Sequence, residues 1–118
     1  MKIILTNNPL VFERFKDTLK IDFHAVSIKT ILSLARNFVH KGHKLLSHPL
    51  AGSIKPNETL YKSIVLTNET ASLDFESLSI IENSIMLTNN FIERNLEKLE
   101  TAYKNDMMEM DLRLINNI

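Results

Sequence analysis

The sequence predicts an α/β fold: a small layered domain with a mainly parallel four-stranded sheet, helices on its faces and a long C-terminal helix. Two observations support this prediction. Up to about residue 67, short apolar runs rich in β-branched residues alternate with segments whose apolar residues recur at helical spacing. From residue 74 to residue 117 the chain contains neither glycine nor proline, and its apolar residues keep the helical spacing.

The beginning of the chain predicts a strand, a helix and a second strand. Residues 2–6 form a continuous apolar run, which is typical of a strand buried on both faces. Asn8 and Pro9 predict a helix start, because an asparagine side chain accepts from free helix N–H groups and proline has no N–H to satisfy. Residues 21–26 alternate more in polarity and predict a strand nearer an edge of the sheet.

A second helix is predicted to follow Ser27, which can cap its N-terminus. We expect this helix to end at Gly42, in the left-handed conformation that glycine favours. Residues 44–47 predict a third strand and residues 62–67 a fourth, with about fourteen residues of no clear periodicity between them. Loops of that length are uncommon in compact domains and tend to be functional.

Length and composition predict a soluble, cytoplasmic protein of one domain. The chain has 118 residues, as many acidic as basic side chains, and no cysteine. Zero net charge gives no overall attraction to nucleic acid or to an acidic membrane, and the lack of cysteine excludes disulfides and thiolate chemistry. The apolar runs are too short for a signal peptide or a membrane span. We expect no nucleic-acid partner, no membrane association and no cofactor.

The C-terminal part predicts a helical extension, residues 93–118, of an α/β domain formed by residues 1–92. An unbroken helix of about 44 residues would be on the order of 65 Å long, whereas a domain of this size has a radius of gyration of about 13 Å. The helix therefore either breaks, at residues 89–90 or 105–106, or packs its distal half on another chain. We favour a dimerisation helix, and hence a homodimer, although the Met-rich residues 107–110 equally suit the chain's own core.

The predicted strand ends favour a binding site for a small anion. Ligands of open parallel sheets bind beyond the carboxyl ends of the strands, and the N-termini of the following helices attract negative charge. The predicted ligand-binding residues are Thr6, Asn7, Asn8, Ser47, His48, Gly52, Ser53, Lys55, Asn57 and Lys62. Simpler roles remain open for some of them, such as helix capping for the two adjacent asparagines and solvation for the lysines. Neither a Walker loop nor a GxGxxG motif is present.

Three histidines raise the question of a metal site, and we expect none. The predicted third strand would separate His43 from His48 by roughly 16 Å, which is too far for His40, His43 and His48 to share one metal ion. His48 is the candidate catalytic residue, because histidine titrates near neutral pH and can act as a general acid or base. No acidic residue near it in sequence forms an obvious dyad, so binding is favoured over catalysis.

Two segments resemble the GrdX family: Ile-Leu-Thr-Asn-Asn-Pro-Leu-Val at residues 4–11, and His-Lys-Gly-His-Lys-Leu-Leu-Ser-His-Pro-Leu-Ala-Gly-Ser-Ile-Lys-Pro-Asn-Glu-Thr at residues 40–59. The resemblance covers roughly residues 2–92, and Leu60 departs from an expected proline. The family is associated with glycine reductase operons of amino-acid-fermenting anaerobic bacteria and has no established molecular function. The resemblance therefore implies an anaerobic cytoplasm, amino-acid metabolism and contact with glycine reductase components, and it assigns no catalytic residue.

Three functions are compatible with these observations. The favoured one is an accessory protein that binds a small anionic ligand at the strand-end loops. The second is an enzyme acting on a small carboxylate or phosphorylated metabolite, with His48 as acid or base. The third is a protein-interaction module without a small-molecule site. The residues alone leave open whether the protein is an enzyme.

Overall fold

A computed structural model shows a three-stranded mixed sheet with two helices on each face, and it describes residues 1–51, 55–92 and 95–116. The strands and helices are β1 Lys2–Thr6, α1 Pro9–Phe15, β2 Lys20–Phe23, α2 Ile28–His40, β3 Ser63–Thr67, α3 Phe75–Asn89, a 3₁₀ turn at Leu96–Lys98, and α4 Thr101–Ile115. None of the helices in the described ranges is long and apolar enough to cross a membrane.

The sheet has the order β2-β1-β3, with β1 parallel to β2 and antiparallel to β3. The predicted mainly parallel, four-stranded sheet is therefore wrong. Residues 44–47 form only one isolated bridge, between Leu45 and Leu66. The hydroxyl of Ser47 accepts the N–H of Val65 at 2.9 Å, where the carbonyl of a neighbouring strand would accept it in a regular ladder. Pro49, two residues later, has no N–H to donate to a ladder.

The direction of β3 follows from the long loop before it. Helix α2 returns the chain to the edge of the sheet where β1 begins, because the N–H of Thr67 donates there to the carbonyl of Lys44. No further helix follows within the described residues before β3. The loop itself crosses to the opposite edge, so that Ser63 enters the sheet opposite Thr6. A strand that begins at that edge can only run antiparallel to β1.

Helices α2 and α3 cover one face of the sheet. Their buried cluster consists of Leu5, Ile28, Ile31, Leu32, Ala35, Val39, Ile64, Leu66 and Ile81. Gly42 ends α2 with a φ of +102°, as predicted, and a side chain there would collide with the carbonyl oxygen of Ala71. Glycine is therefore needed at this position for two reasons: it adopts the left-handed conformation, and its lack of a side chain allows the chain that follows β3 to pass close to it.

Helices α1 and α4 cover the opposite face, around the buried residues Ile4, Val11, Val65 and Ile115. The long C-terminal helical segment is thus divided into α3 and α4, and α3 ends at Asn89 with Asn90 as its cap, at one of the two break positions considered. The chain has to break because the apolar side of α3 packs on α2, whereas that of α4 packs on the other face of the sheet.

Candidate functional site

The carboxyl ends of β1 and β2 lie at one edge of the sheet, beside the first residue of β3. Thr6 is the register partner of Phe23 on one side and of Ser63 on the other. Thr6, Asn7 and Asn8, the first three predicted ligand-binding residues, follow one another at this edge, and all three are buried. Their side chains are engaged within the protein.

A buried polar network connects this edge to α4. The hydroxyl groups of Thr6 and Ser63 lie 2.7 Å apart, and Ser63 donates to the Asp111 carboxylate from its Oγ at 2.7 Å and from its backbone N–H at 3.1 Å. The Nδ2 of Asn8 donates to the same carboxylate at 3.0 Å. Asp111 is only 3% exposed. Its three hydrogen bonds compensate for the loss of water around the carboxylate.

The two asparagines have separate structural roles. The Nδ2 of Asn7 donates to the carbonyls of Val26 and Leu60, both at 2.8 Å, and its Oδ1 accepts the N–H of Lys62 at 2.9 Å. Asn7 therefore ties the β2–α2 turn to the end of the long loop. Asn8 caps α1 through its Oδ1, as expected from the sequence.

Lys62 is also buried at this edge, with 5% of its surface exposed. Its Nζ donates to the carbonyl of Ala51 at 3.1 Å. Burial lowers the pKa of Lys62 from its usual value, and the negative charge of Asp111 opposes that shift. Lys62 therefore places a titratable amine inside the protein, and burial disfavours its charged form.

The other predicted ligand-binding residues lie apart from this group. Ser47 accepts the N–H of Val65, and His48 is exposed, with its Nδ1 accepting the N–H of Leu50 at 3.1 Å. Lys55 is exposed as well. Gly52 and Ser53 lie outside the described residues. As ligand contacts, all these residues stay predictions.

The histidines of the central segment contact different parts of the protein. His40 is exposed in the last turn of α2, and His43 hydrogen-bonds the carbonyl of Thr67 at 2.7 Å while its ring packs edge-on against Phe38. The strand that was expected to separate His43 from His48 is reduced to a single bridge. Among residues 1–51, 55–92 and 95–116, no group of three or more histidine, aspartate or glutamate side chains is arranged to hold a metal ion.

A cleft of about 280 Å³ opens where β2 leads into α2. Residues 27–29, the cap and first turn of α2, form one wall, where helix N–H groups have no partner inside the helix. The Ser27 hydroxyl accepts one of them, the N–H of Thr30, at 3.2 Å. The remaining walls include Pro56, Asn57, Thr59, Leu60, Thr88, Phe91, Leu96 and Glu97.

Asn57 lines the cleft and has an unsatisfied buried acceptor. Its Nδ2 donates to the carbonyl of Ile92 at 2.8 Å, whereas its Oδ1 is buried and has no hydrogen-bond partner among the described residues. Glu97 is 80% exposed at the cleft, and its carboxylate lies 3.9 Å from the Nζ of Lys104. Burial, together with the charge of Glu97, raises the pKa of Tyr61. The cleft therefore combines N–H donors on one wall with carbonyl and carboxylate acceptors on another.

The sequence identified only part of this site. It selected Asn57 as a ligand-binding residue and Ser27 as a helix cap, and both line the cleft. It missed Asp111 and Glu97. Asp111 could have been noticed, because it interrupts an otherwise apolar helix side that contains Leu112 and Ile115. Glu97 carries no such signal, since it lies in a charged segment of the sequence.

A family model described as "GrdX-like protein" matches residues 3–118, nearly the whole chain. The chain belongs to the GrdX-like protein family. The match extends through α4, whereas the resemblance read from the sequence ended near residue 92. The matched range therefore includes helix α4. Searches of curated proteins and of solved structures each returned no match.

Proposed function

We propose that this GrdX-like protein is an accessory protein of amino-acid metabolism, in the setting of glycine reductase, and that it binds a small anionic ligand at the strand ends. The observation that carries the proposal is the cleft of about 280 Å³ at the first turn of α2. The backbone N–H groups and the helix dipole at the first turn of a helix favour a carboxylate or a phosphate. The family's association with glycine reductase operons supplies the metabolic setting.

The cleft is a better location for the ligand than the predicted row of Thr6, Asn7 and Asn8. Those three side chains are buried and make hydrogen bonds within the protein, so a ligand would have to replace existing bonds. At the cleft, the buried Oδ1 of Asn57 has no partner among the described residues. A ligand that donates a hydrogen bond there would remove the cost of an unsatisfied acceptor.

The chemistry of the walls favours a small molecule with an anionic end and a hydrogen-bond donor. The anionic end would face residues 27–29, and the donor would face Asn57 and Glu97. Glycine meets this description with its carboxylate and its ammonium group, and it fits the metabolic setting. Acetyl phosphate and inorganic phosphate have the anionic end without an ammonium group.

Isothermal titration calorimetry with glycine, acetyl phosphate and inorganic phosphate tests the proposal. We expect at least one of them to bind with a Kd below about 1 mM. Lys29→Glu should abolish that binding, because it adds negative charge at the cleft while remaining favourable in the first turn of a helix. The control is Lys20→Glu, the same charge change at an exposed residue of β2.

Two results would contradict the proposal. One is the absence of binding by all three compounds at millimolar concentration. The other is a ligand whose affinity falls equally with Lys29→Glu and with Lys20→Glu. The enzymatic alternative stays a prediction, and no contact of His48 among the described residues favours it over binding.

A further inference from the structure

Helix α4 has an apolar stripe that its own domain leaves largely uncovered. The stripe consists of Tyr103, Met107, Met110 and Leu114, at successive spacings of four, three and four residues. Tyr103 is 59% exposed, Met110 46% and Leu114 44%, and Met107 is partly buried. This spacing is that of the seam of a two-stranded coiled coil, in which apolar residues alternate three and four apart.

The stripe is separate from the side of α4 that holds the helix on the domain. That side contains Asp111, which binds Ser63, and Ile115, which packs in the core with Ile4 and Val65. Single exposed apolar residues are normal on protein surfaces, but a continuous row marks a surface for a partner. Helix α4 therefore has one apolar side for its own sheet and a second for another molecule.

The charges beside the stripe indicate which partner fits. Asp106 and Arg113 lie next to the stripe, on the side away from Asp111, and both are exposed. Neither has an ion-pair partner among the described residues. They are seven residues apart, so both occupy the same flanking position of the heptad pattern. Their opposite charges are self-complementary when a second copy of α4 runs antiparallel to the first.

In an antiparallel pair of α4 helices, the stripe residues of the two copies face each other in successive layers. When Met107 of one copy faces Met110 of the other, Tyr103 faces Leu114, and all four stripe residues have an apolar partner. In that register Asp106 of each copy faces Arg113 of the other, which gives two ion pairs related by the two-fold axis. A parallel pair would place Asp106 opposite Asp111 of the other copy, which has the same charge and is already bound inside its own domain.

We propose that two copies of this chain associate through the stripe as an antiparallel pair of α4 helices. Helix α4 has 15 residues and is about 22 Å long, so the contact is at the small end of stable interfaces. The expected dimer is therefore weak, with a Kd of about 10 to 100 µM. It does not depend on the proposed ligand.

Sedimentation equilibrium of the full chain, between about 1 µM and 1 mM, tests the proposal. We expect a reversible monomer–dimer equilibrium. Met110→Glu should weaken it at least about tenfold, because it places a charge in the central apolar layer. Ala102→Glu is the matched control: it adds the same charge to an exposed position of α4 outside the stripe, and it should leave the dimer unchanged. Circular dichroism should show that both variants remain folded.

Charge exchange tests the orientation. Asp106→Arg and Arg113→Asp should each weaken the dimer by several-fold, and the double variant should recover the wild-type affinity, since each copy then presents the reversed pair. A chain that is monomeric at all concentrations would overturn the proposal, whatever else binds the stripe. Equal effects of Met110→Glu and Ala102→Glu, or a double variant that fails to recover, would overturn it as well.

Discussion

The backbone N–H and the hydroxyl of Ser63 both donate to the carboxylate of Asp111, at 3.1 Å and 2.7 Å. Ser63 begins β3 and Asp111 lies in α4, 48 residues later. The pair joins the C-terminal helix to the strand ends, and Thr6 and Asn8 complete the network from β1 and its following turn. The helix is thus held by specific polar contacts as well as by apolar packing.

Asp111→Ala should lower the free energy of unfolding by about 3 kcal/mol, because it leaves the donors of Ser63 and Asn8 buried without an acceptor. Urea denaturation measures the change. Glu109→Ala, at an exposed position of the same helix, should change stability by no more than about 0.5 kcal/mol. Similar losses in the two variants would show that the network does not hold α4.

The local signals in the sequence predicted the ends of elements well. Asn8 and Ser27 cap the helices that they were expected to cap, and Gly42 has the left-handed conformation expected of it. Each of these signals acts within a few residues of chain, so that it can be read from the sequence directly.

The direction of β3 and the loss of the predicted third strand could not be read in the same way. Residues 44–47 have the composition of a strand, but Ser47 uses its side chain to accept the N–H of Val65, eighteen residues away. Likewise, the hydrogen bonds of Asn7 reach Val26, Leu60 and Lys62, and they occupy a residue predicted to bind a ligand. Such long-range partners leave no local pattern.

Asn7→Ala should loosen the end of the long loop, because Asn7 accepts the N–H of Lys62 and donates to the carbonyl of Leu60. We expect the amide of Lys62 to exchange its hydrogen at least about tenfold faster, as local opening becomes easier. Hydrogen-exchange mass spectrometry or NMR measures this rate. Peptides from the middle of α2 are the internal control, and acceleration there as large as at Lys62 would contradict a local role of Asn7.

Gly42→Ala should destabilise the protein by about 2 kcal/mol or more, because alanine is strained at a φ of +102° and its side chain would meet the Ala71 carbonyl. Thermal or urea unfolding gives the magnitude. Lys41→Ala, at the preceding exposed residue with a φ of −82°, is the control and should be nearly neutral. If both variants have the same stability, Gly42 is not required for the close approach.

Lys62 should make stability depend on alkaline pH, since burial lowers its pKa in the folded protein. An unfolded lysine has a pKa of about 10.4. Between the folded and the unfolded pKa, the unfolded chain binds more protons, so the contribution of Lys62 to the free energy of unfolding increases as pH rises. Below that range, folding has to bury the charged form.

Lys62→Met removes this contribution, so the stability of the wild-type protein relative to Lys62→Met should rise as the pH increases toward the unfolded pKa of about 10.4. Urea denaturation of both proteins at several pH values measures the difference. Lys20→Met removes an exposed lysine and accounts for the general effect of losing one positive charge. A difference between wild type and Lys62→Met that stays constant or falls as pH rises would show that the Lys62 ammonium group is not desolvated by folding.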